Sequence, residues 1–149
     1  MSGPIEFTGV EHFTSSPDRV FAAMTDLDMV ASIIPDLQST ERIDDRTLRC
    51  VVRPGFSFLR GTLKMTVALV DVQPATSATM RVDATGIGVS MRVDSQLQLS
   101  PEGAGTKLAW TARVAELKGL VATISPALVR ASADQITRTA WQKIHGAVA

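Results

Sequence analysis

The C-terminal part of the chain, residues 120–149, carries an apolar stripe with the period of a helix. Side chains four positions apart lie on one helix face, and here that face would be almost entirely apolar or small. Pro126 is well tolerated in a first helical turn, so we expect the main helix to begin near residue 126. A long helix with one apolar side needs a broad apolar surface to lie on. The stripe consists of Leu120, Ile124, Leu128, Ser132, Ile136, Ala140, Ile144 and Val148.

Most of the chain from Leu37 to the start of this helix alternates between apolar and polar residues. A period of two predicts β-strands with one side toward a core and the other toward solvent. By the same alternation Glu116 would also point inward. The side chains predicted to face the core include Leu48, Cys50, Val52, Leu63, Met65, Val67, Leu69, Met80, Val82, Ala84, Val89, Met91, Val93, Leu97, Leu99, Leu108, Trp110, Ala112 and Val114.

The first part of the chain predicts a strand over Ile5–Thr14 followed by two short helices. Ser15-Ser16-Pro17-Asp18 is typical of a helix start, with a serine cap, an early proline and a carboxylate near the positive helix end. A second helix over Asp26–Ile34 would end before Pro35. The predicted order is strand, two short helices, about six antiparallel strands and one long helix. We therefore expect an α+β fold, a curved sheet that grips a helix, in a single domain over residues 1–149.

The charge balance and the cysteine count exclude several classes of protein. The chain has 15 basic and 15 acidic residues with no basic cluster, which argues against nucleic-acid binding. Cys50 is the single cysteine, so an intramolecular disulfide is excluded and a thiolate-rich metal site is not expected. The N-terminus lacks a signal region, and no run of about 18 apolar residues could span a bilayer. We therefore predict a soluble cytoplasmic protein without a metal or cofactor.

Few residues are candidates for acid–base chemistry. His12 falls on the outward side of the first strand, and His145 falls in the last helical turns, where a cation complements the helix dipole. Neither has a sequence neighbour typical of a triad or a metal site, so both are interpreted as surface residues. Gly86-Ile87-Gly88 lies between strands and is too short for a dinucleotide-binding motif. Glu116 is the candidate for catalysis, unless the alternation breaks near the end of its strand.

The charges around this glycine turn predict how the two flanking strands pair. Placing Arg81 beside Asp94 and Asp83 beside Arg92 opposes unlike charges, whereas a shift by two positions opposes like charges. The same register brings apolar residues together on the other face and leaves Ile87-Gly88 as the turn.

The order of elements and a set of short motifs resemble the helix-grip fold of the START and Bet v 1-like superfamily. Within it, the chain is similar to the CoxG family of carbon monoxide dehydrogenase subunits. The resemblance covers nearly the whole chain, and the order and spacing of the motifs carry it. The matching residues are Ser16-Pro17-Asp18-Arg19-Val20-Phe21, Asp26, Ile34-Pro35, Gly61, Gly86, Gly88, Gly105-Thr106-Lys107-Leu108 and Gly119-Leu120.

The resemblance implies an apolar cavity between the sheet and the long helix that binds a hydrophobic, lipid- or quinone-like small molecule. It also implies an accessory role for a molybdenum-containing dehydrogenase. Small residues midway along the helix, such as Ser132 and Ala140, favour a void there. The alternative is that the inward methionines only fill the core. The residues expected to line the cavity are Met65, Val67, Met80, Val82, Met91, Val93, Leu97, Trp110, Leu120, Ile124, Leu128, Ser132 and Ile136.

The segment between Arg53 and Arg60 contains three large apolar residues, which is unusual for a solvent loop. Such a cluster is typical of a lid, a partner site or a contact with a membrane surface. We expect Arg53, Phe56, Phe58, Arg60 and Ile87 at the cavity mouth. The alternative is that the two phenylalanines pack on the first helices.

Three functions remain open from the sequence. The first is binding of a hydrophobic small molecule, and the second is docking or maturation of a larger dehydrogenase without a ligand. The third is a polyketide cyclase-like enzyme that uses Glu116, since some cyclases of this fold use a carboxylate in the cavity.

Overall fold

The computed structural model describes residues 5–34, 36–53, 61–86, 88–119 and 126–148, without the side chains of Val89, Leu117, Pro126, Leu128, Val129 and Ser132. The predicted order of elements is confirmed. The elements are β1 (Glu6–Phe13), α1 (Pro17–Met24), α2 (Leu27–Ile33), β2 (Leu37–Asp44), β3 (Thr47–Val52), β4 (Leu63–Gln73), β5 (Ser77–Gly86), β6 (Val89–Glu102), β7 (Gly105–Gly119) and α3 (Pro126–Val148).

The seven strands form one antiparallel sheet in the order β1-β7-β6-β5-β4-β3-β2. Each of the strands β2 to β7 pairs with the strand next to it in the sequence, and β1 pairs with β7. This leaves β1 and β2 as the two edges of the sheet. The α+β class predicted from the alternating pattern and the long terminal helix is therefore confirmed.

One end of the sheet, here called the Gly119 end, is formed by the last residues of β3, β5 and β7 and the first residues of β4 and β6. Val52 pairs with Leu63 there, and Gly86 pairs with Val89, which in turn pairs with Gly119. The hairpin ladder closes at Gly86 and Val89, as the predicted two-residue turn requires. The opposite end is called the Thr106 end.

Helix α3 runs from the Gly119 end to the Thr106 end. It has 23 residues, which at ~1.5 Å per residue gives a length of about 34 Å. At its last turn, the Ser15 hydroxyl donates a hydrogen bond of 2.6 Å to the Val148 carbonyl. Ser15 precedes the N-cap residue of α1, so this bond attaches the end of α3 to the start of α1.

The buried core has two parts, each under one of the short helices. The α1 cluster joins α1 and the end of α3 to β6 and β7, and the α2 cluster joins α2 to β3 and β4. Burial in the α2 cluster raises the pKa of the Cys50 thiol, so the uncharged form is favoured. The α1 cluster contains Phe13, Val20, Met24, Leu97, Leu99, Leu108, Ile144 and Val148; the α2 cluster contains Leu27, Val30, Leu48, Cys50, Val67 and Leu69.

The predicted stripe on α3 is wrong at Ile136. This side chain is 37% exposed, whereas Ile144 and Val148 are buried. A step of four residues turns a helix by about 40° beyond a full circle, so Ile136 lies about 80° away from Ile144. The less exposed face of α3 instead contains Thr137, Trp141 and Ile144, which are separated by four and then three positions.

The predicted register of β5 and β6 is confirmed. Arg81 pairs with Asp94 and Asp83 pairs with Arg92. The Arg81 Nε donates to Asp94 Oδ1 at 2.9 Å, and the Arg92 Nε donates to Asp83 Oδ1 at 2.7 Å. These four side chains lie on the face of the sheet away from α3, called the outer face.

The two short helices begin where predicted but are capped differently. Ser16 occupies the N-cap position of α1, yet its side chain makes no capping hydrogen bond, so the predicted serine cap is wrong in this respect. Asp26 caps α2, because its Oδ1 accepts from the backbone N–H groups of Asp28 at 2.9 Å and Met29 at 3.4 Å. The cap matters because α2 has only 7 residues and carries Leu27 into the core.

We expect Asp26→Ala to lower the free energy of unfolding by about 1 kcal/mol, because two N–H groups at the start of α2 lose their acceptor. Chemical denaturation measures this change. Asp45→Ala is the control, since Asp45 is exposed in the β2–β3 turn. Equal losses in the two variants would show that the cap does not stabilise α2.

Candidate functional site

The face of the sheet toward α3, called the inner face, is apolar and incompletely covered. Val67 and Leu97 are buried at 1% and 5% exposure, where the α2 and α1 clusters reach them. The other strand residues predicted to line a cavity are only half-buried, although both short helices and α3 cover parts of the same face. These half-buried residues are Met65, Met80, Val82, Met91, Val93 and Trp110.

The half-buried residues form neighbouring rows across the sheet, because residues paired between strands point to the same side. One row joins Val82 to Val93 and then to Val114. The next row toward the Thr106 end joins Met80, Ser95 and Ala112.

Ser95 and Ala112 carry the smallest side chains of these rows, and both are half-buried. Serine and alanine side chains extend less far from the sheet than methionine and valine side chains do. The area formed by these two rows is called the inner groove.

Several residues predicted for the cavity and its mouth lie outside the part of the chain that the structure describes. Among the helix residues, Leu120 and Ile124 lie outside the described residues, as do the side chains of Leu128 and Ser132. The mouth residues Phe56, Phe58, Arg60 and Ile87 also lie outside the described residues.

Arg53 is the mouth residue that the structure describes. It follows β3 at the Gly119 end, is exposed, and its backbone N–H donates to the Asp36 carbonyl at 3.0 Å. This position is at the end of the sheet where we expected an entrance.

The prediction that Glu116 points inward is wrong. The pairing of β6 and β7 shifts between Arg92 and Val93, so that Ala115 is an extra residue on β7. An extra residue reverses the alternation, and Glu116 therefore lies opposite Arg92 on the outer face. The alternative stated for this residue, a break in alternation near the strand end, is confirmed.

Glu116 belongs to a group of charges on the outer face. Its carboxylate lies 3.4 Å from the Lys118 Nζ. The hydrogen bond to Asp83 raises the pKa of Arg92, and the charges of Asp83 and Glu116 act in the same direction. The cyclase hypothesis loses its catalytic residue, because Glu116 is separated from the inner groove by the sheet.

The two histidines have different surroundings. His12 is exposed, as predicted, and its Nδ1 lies 2.8 Å from the Glu102 carboxylate. His145 is half-buried; its Nε2 lies 2.7 Å from Glu11 Oε1 and its ring stacks on Phe13 at 4.4 Å between centroids. His145 lies in the last turn of α3 as predicted and its side chain is 38% exposed, but its contacts with Glu11 and Phe13 were not predicted.

A cavity of about 610 Å³ lies between β1 and α3 and is called the β1–α3 cavity. The rings of Trp110 and Trp141 contact each other in it, with centroids 5.6 Å apart and planes inclined by 34°. Gly9 lies under the Trp110 ring, where any side chain would overlap the indole. The cavity is lined by Phe7, Thr8, Glu11, Trp110, Asp134, Thr137, Arg138, Trp141, Gln142 and His145.

The polar groups of this cavity are largely paired with each other. Arg138 lies 2.6 Å from the Asp134 carboxylate, and Glu11 holds His145. The indole Nε1 of Trp110 is buried and has no hydrogen-bond partner within the described part of the chain.

Neither metal-binding nor membrane-spanning features occur in the described ranges. No group of three or more His, Cys, Asp or Glu side chains there could hold a metal ion. Nor is any helix in those ranges long and apolar enough to cross a membrane.

The sequence matches the model of the CoxG family, the G subunit of carbon monoxide dehydrogenase, over residues 9–149. The chain belongs to this family. Membership confirms the resemblance seen in the sequence motifs. Among curated proteins, none matches the sequence.

Several solved structures share the fold of this chain. A conserved protein from Geobacillus kaustophilus is similar with a TM-score of 0.86 and 18% identity, covering 96% of this chain and 94% of that chain. Ara h 8.0201 has a TM-score of 0.71 at 16% identity, covering 98% of each chain. A START superfamily protein from Mycobacterium smegmatis has a TM-score of 0.68 at 14% identity, covering 98% of this chain and 97% of that chain. At these identities the likeness establishes the fold.

Proposed function

We propose that this member of the CoxG family binds a hydrophobic, lipid- or quinone-like small molecule in the inner groove. The observation that carries the proposal is the half-buried apolar centre of the inner face, bounded by the α1 and α2 clusters. A protein core normally closes over such a surface, because complete burial of one large apolar side chain contributes about 1.5–3 kcal/mol. An apolar ligand would complete that burial.

The residue types of the inner groove suit such a ligand. Met65, Met80 and Met91 have flexible, polarisable side chains that adapt to different apolar shapes. We propose that the ligand enters at the Gly119 end, where Arg53 is exposed. A cation there would favour a ligand with a polar or anionic end, which would stay in water while the apolar part is buried.

The family name supports an accessory role. We propose that the protein binds this ligand as an accessory factor of a molybdenum-containing dehydrogenase of the carbon monoxide dehydrogenase type. A docking or maturation protein without a ligand is the second candidate, favoured because the family is named as part of a dehydrogenase complex. Co-purification of a dehydrogenase with ligand-free protein would support the second candidate. We further propose one domain working in the cytoplasm, where a lone thiol such as Cys50 stays reduced.

Filling the inner groove should block ligand binding. We expect Ser95→Phe to weaken the affinity for palmitate at least about tenfold, because excluding as few as two methylenes from burial costs that much. Displacement of the dye 1-anilinonaphthalene-8-sulfonate by palmitate measures the affinity. The dye fluoresces more strongly in apolar surroundings, so its release is seen directly.

The control variant is Gln96→Phe, which adds the same side chain one position further along β6 on the exposed outer face. It should bind palmitate as the unmodified protein does, and both variants should remain folded. If the unmodified protein does not bind palmitate, or if the two variants lose affinity equally, the inner groove is not the binding site.

A further inference from the structure

We propose that two copies of this chain form a homodimer by pairing their β1 strands antiparallel, so that the two sheets become continuous. Strand β1 is an edge of the sheet, and no other strand of the described residues pairs with its free side. A two-fold axis perpendicular to the sheet leaves the inner faces of both copies on the same side. The dimer does not depend on ligand binding in the inner groove, and either proposal can fail without the other.

The two edges of the sheet differ in how open they are to a further strand. The pairing of β2 with β3 shifts twice, at Gln38 and at Ile43, and bulges of this kind twist an edge away from a partner. Strand β1 pairs with β7 without a shift along all of Glu6–Phe13, and this stretch contains no lysine, arginine or proline. Natural proteins use bulges, lysine and proline to block edge pairing, so β1 is the more open edge.

The free side of β1 carries the backbone groups of every second residue. The Val114 N–H donates to the Ile5 carbonyl at 2.8 Å, and these two residues continue the β1–β7 register by one position. In an antiparallel ladder, directly opposed residues alternate between bonded and non-bonded pairs. The odd-numbered residues of β1 therefore bond to β7, and the even-numbered ones direct their N–H and C=O groups to the free side. These even-numbered residues, all exposed, are Glu6, Thr8, Val10 and His12.

The free side is self-complementary about Gly9. A two-fold axis at Gly9 places Glu6 opposite His12 of the second copy, and Thr8 opposite Val10 of the second copy. Every residue that directs its backbone groups to the free side then has an antiparallel partner. An axis at Thr8 leaves His12 without a partner in β1, and an axis at Val10 leaves Glu6 without one.

The side chains favour the same arrangement. The His12 Nδ1 lies 2.8 Å from the Glu102 carboxylate, and a protonated imidazole can donate from both ring nitrogens. Glu6 of the second copy supplies a carboxylate for Nε2, and the symmetry of the dimer forms this pair twice. Val10 is 45% exposed in the single chain and would contact Thr8 of the second copy.

Sedimentation equilibrium tests the dimer. We expect the mass to rise with concentration from the 15.9 kDa of one chain toward twice that value. Val10→Pro should weaken association at least about tenfold, because each copy loses an N–H on the free side. That N–H is not used in the pairing with β7, so the variant should stay folded, which circular dichroism checks. The mass of one chain at all concentrations up to about 1 mM, or a dimer that a folded Val10→Pro variant does not weaken, would overturn the proposal.

Charge reversal identifies the interface even if Val10→Pro does not fold. Glu6→Lys should weaken association about tenfold, because it opposes like charges at two symmetric positions. Adding His12→Glu reverses both members of the pair and should restore association. Glu41→Lys makes the same change on the β2 edge and should leave the dimer unchanged. A double variant that does not recover, or an equal loss in Glu41→Lys, would contradict pairing through β1.

Discussion

Leu108→Ala is expected to lower the free energy of unfolding by about 2–5 kcal/mol. Leu108 has 0% exposure in the middle of the α1 cluster, where it pairs with Glu11 on β1 and Leu99 on β6. Truncation would leave a cavity among side chains from α1, α3 and the sheet, which cannot all move inward. Chemical denaturation followed by far-ultraviolet circular dichroism measures the loss.

The control for this variant is Val10→Ala on β1. Val10 is 45% exposed and points away from the core, so its truncation should change stability by no more than about 0.5 kcal/mol. A small loss for Leu108→Ala, similar to that of the control, would mean that the α1 cluster does not stabilise the fold as described.

Gly105→Ala is expected to destabilise the protein by about 3 kcal/mol or more. A Cβ at this position would overlap the backbone carbonyl oxygen of Phe13 and come within 3.2 Å of Thr14 Cα. The obstacle is main chain, which cannot rotate away as a side chain can. The β1–β7 pairing would have to open at the Thr106 end, beside the start of α1.

Gly146→Ala is the matched control, because a Cβ there would meet nothing within 4 Å. Gly146 lies in the last turn of α3, where alanine should be more favourable than glycine by up to the ~1 kcal/mol that applies in a helix interior. The two glycine-to-alanine changes should therefore have opposite signs. A loss of stability in both would contradict the described close approach of Gly105 to β1.

The sheet could be predicted from the sequence in detail, because two independent signals agreed. The alternation fixes which side chains face inward, and the charges of Arg81, Asp83, Arg92 and Asp94 allow one register. Both signals come from residues that lie close together in the sequence, within one hairpin. The structure confirms the register and adds the two hydrogen bonds between these side chains.

Two errors arose where a simple period was extended too far. On α3, repeated steps of four rotated the predicted stripe away from the buried face, which placed Ile136 wrongly. On β7, the bulge at Ala115 reversed the alternation just before Glu116. A bulge of one ordinary residue leaves no clear mark in the sequence.

The contact between Glu11 and His145 could not be derived from spacing, since the two residues are 134 positions apart. One signal was present, because Glu11 has the same parity on β1 as Phe7 and Phe13 and is therefore an acid on an inward-facing side. A partner for such a carboxylate was to be expected. Its identity depends on where the end of α3 lies on the sheet.

The central claim is that the inner groove receives an apolar ligand, and the methionine methyl groups test it most directly. Met65, Met80 and Met91 lie in or beside the groove, whereas Met24 is buried in the α1 cluster. Methionine methyl resonances of labelled protein, followed by NMR during a titration with palmitate, report each position separately. We predict that the resonances of the three groove methionines shift saturably while that of Met24 does not. Palmitate binding that leaves those three resonances unchanged, or an absence of binding, would contradict the account.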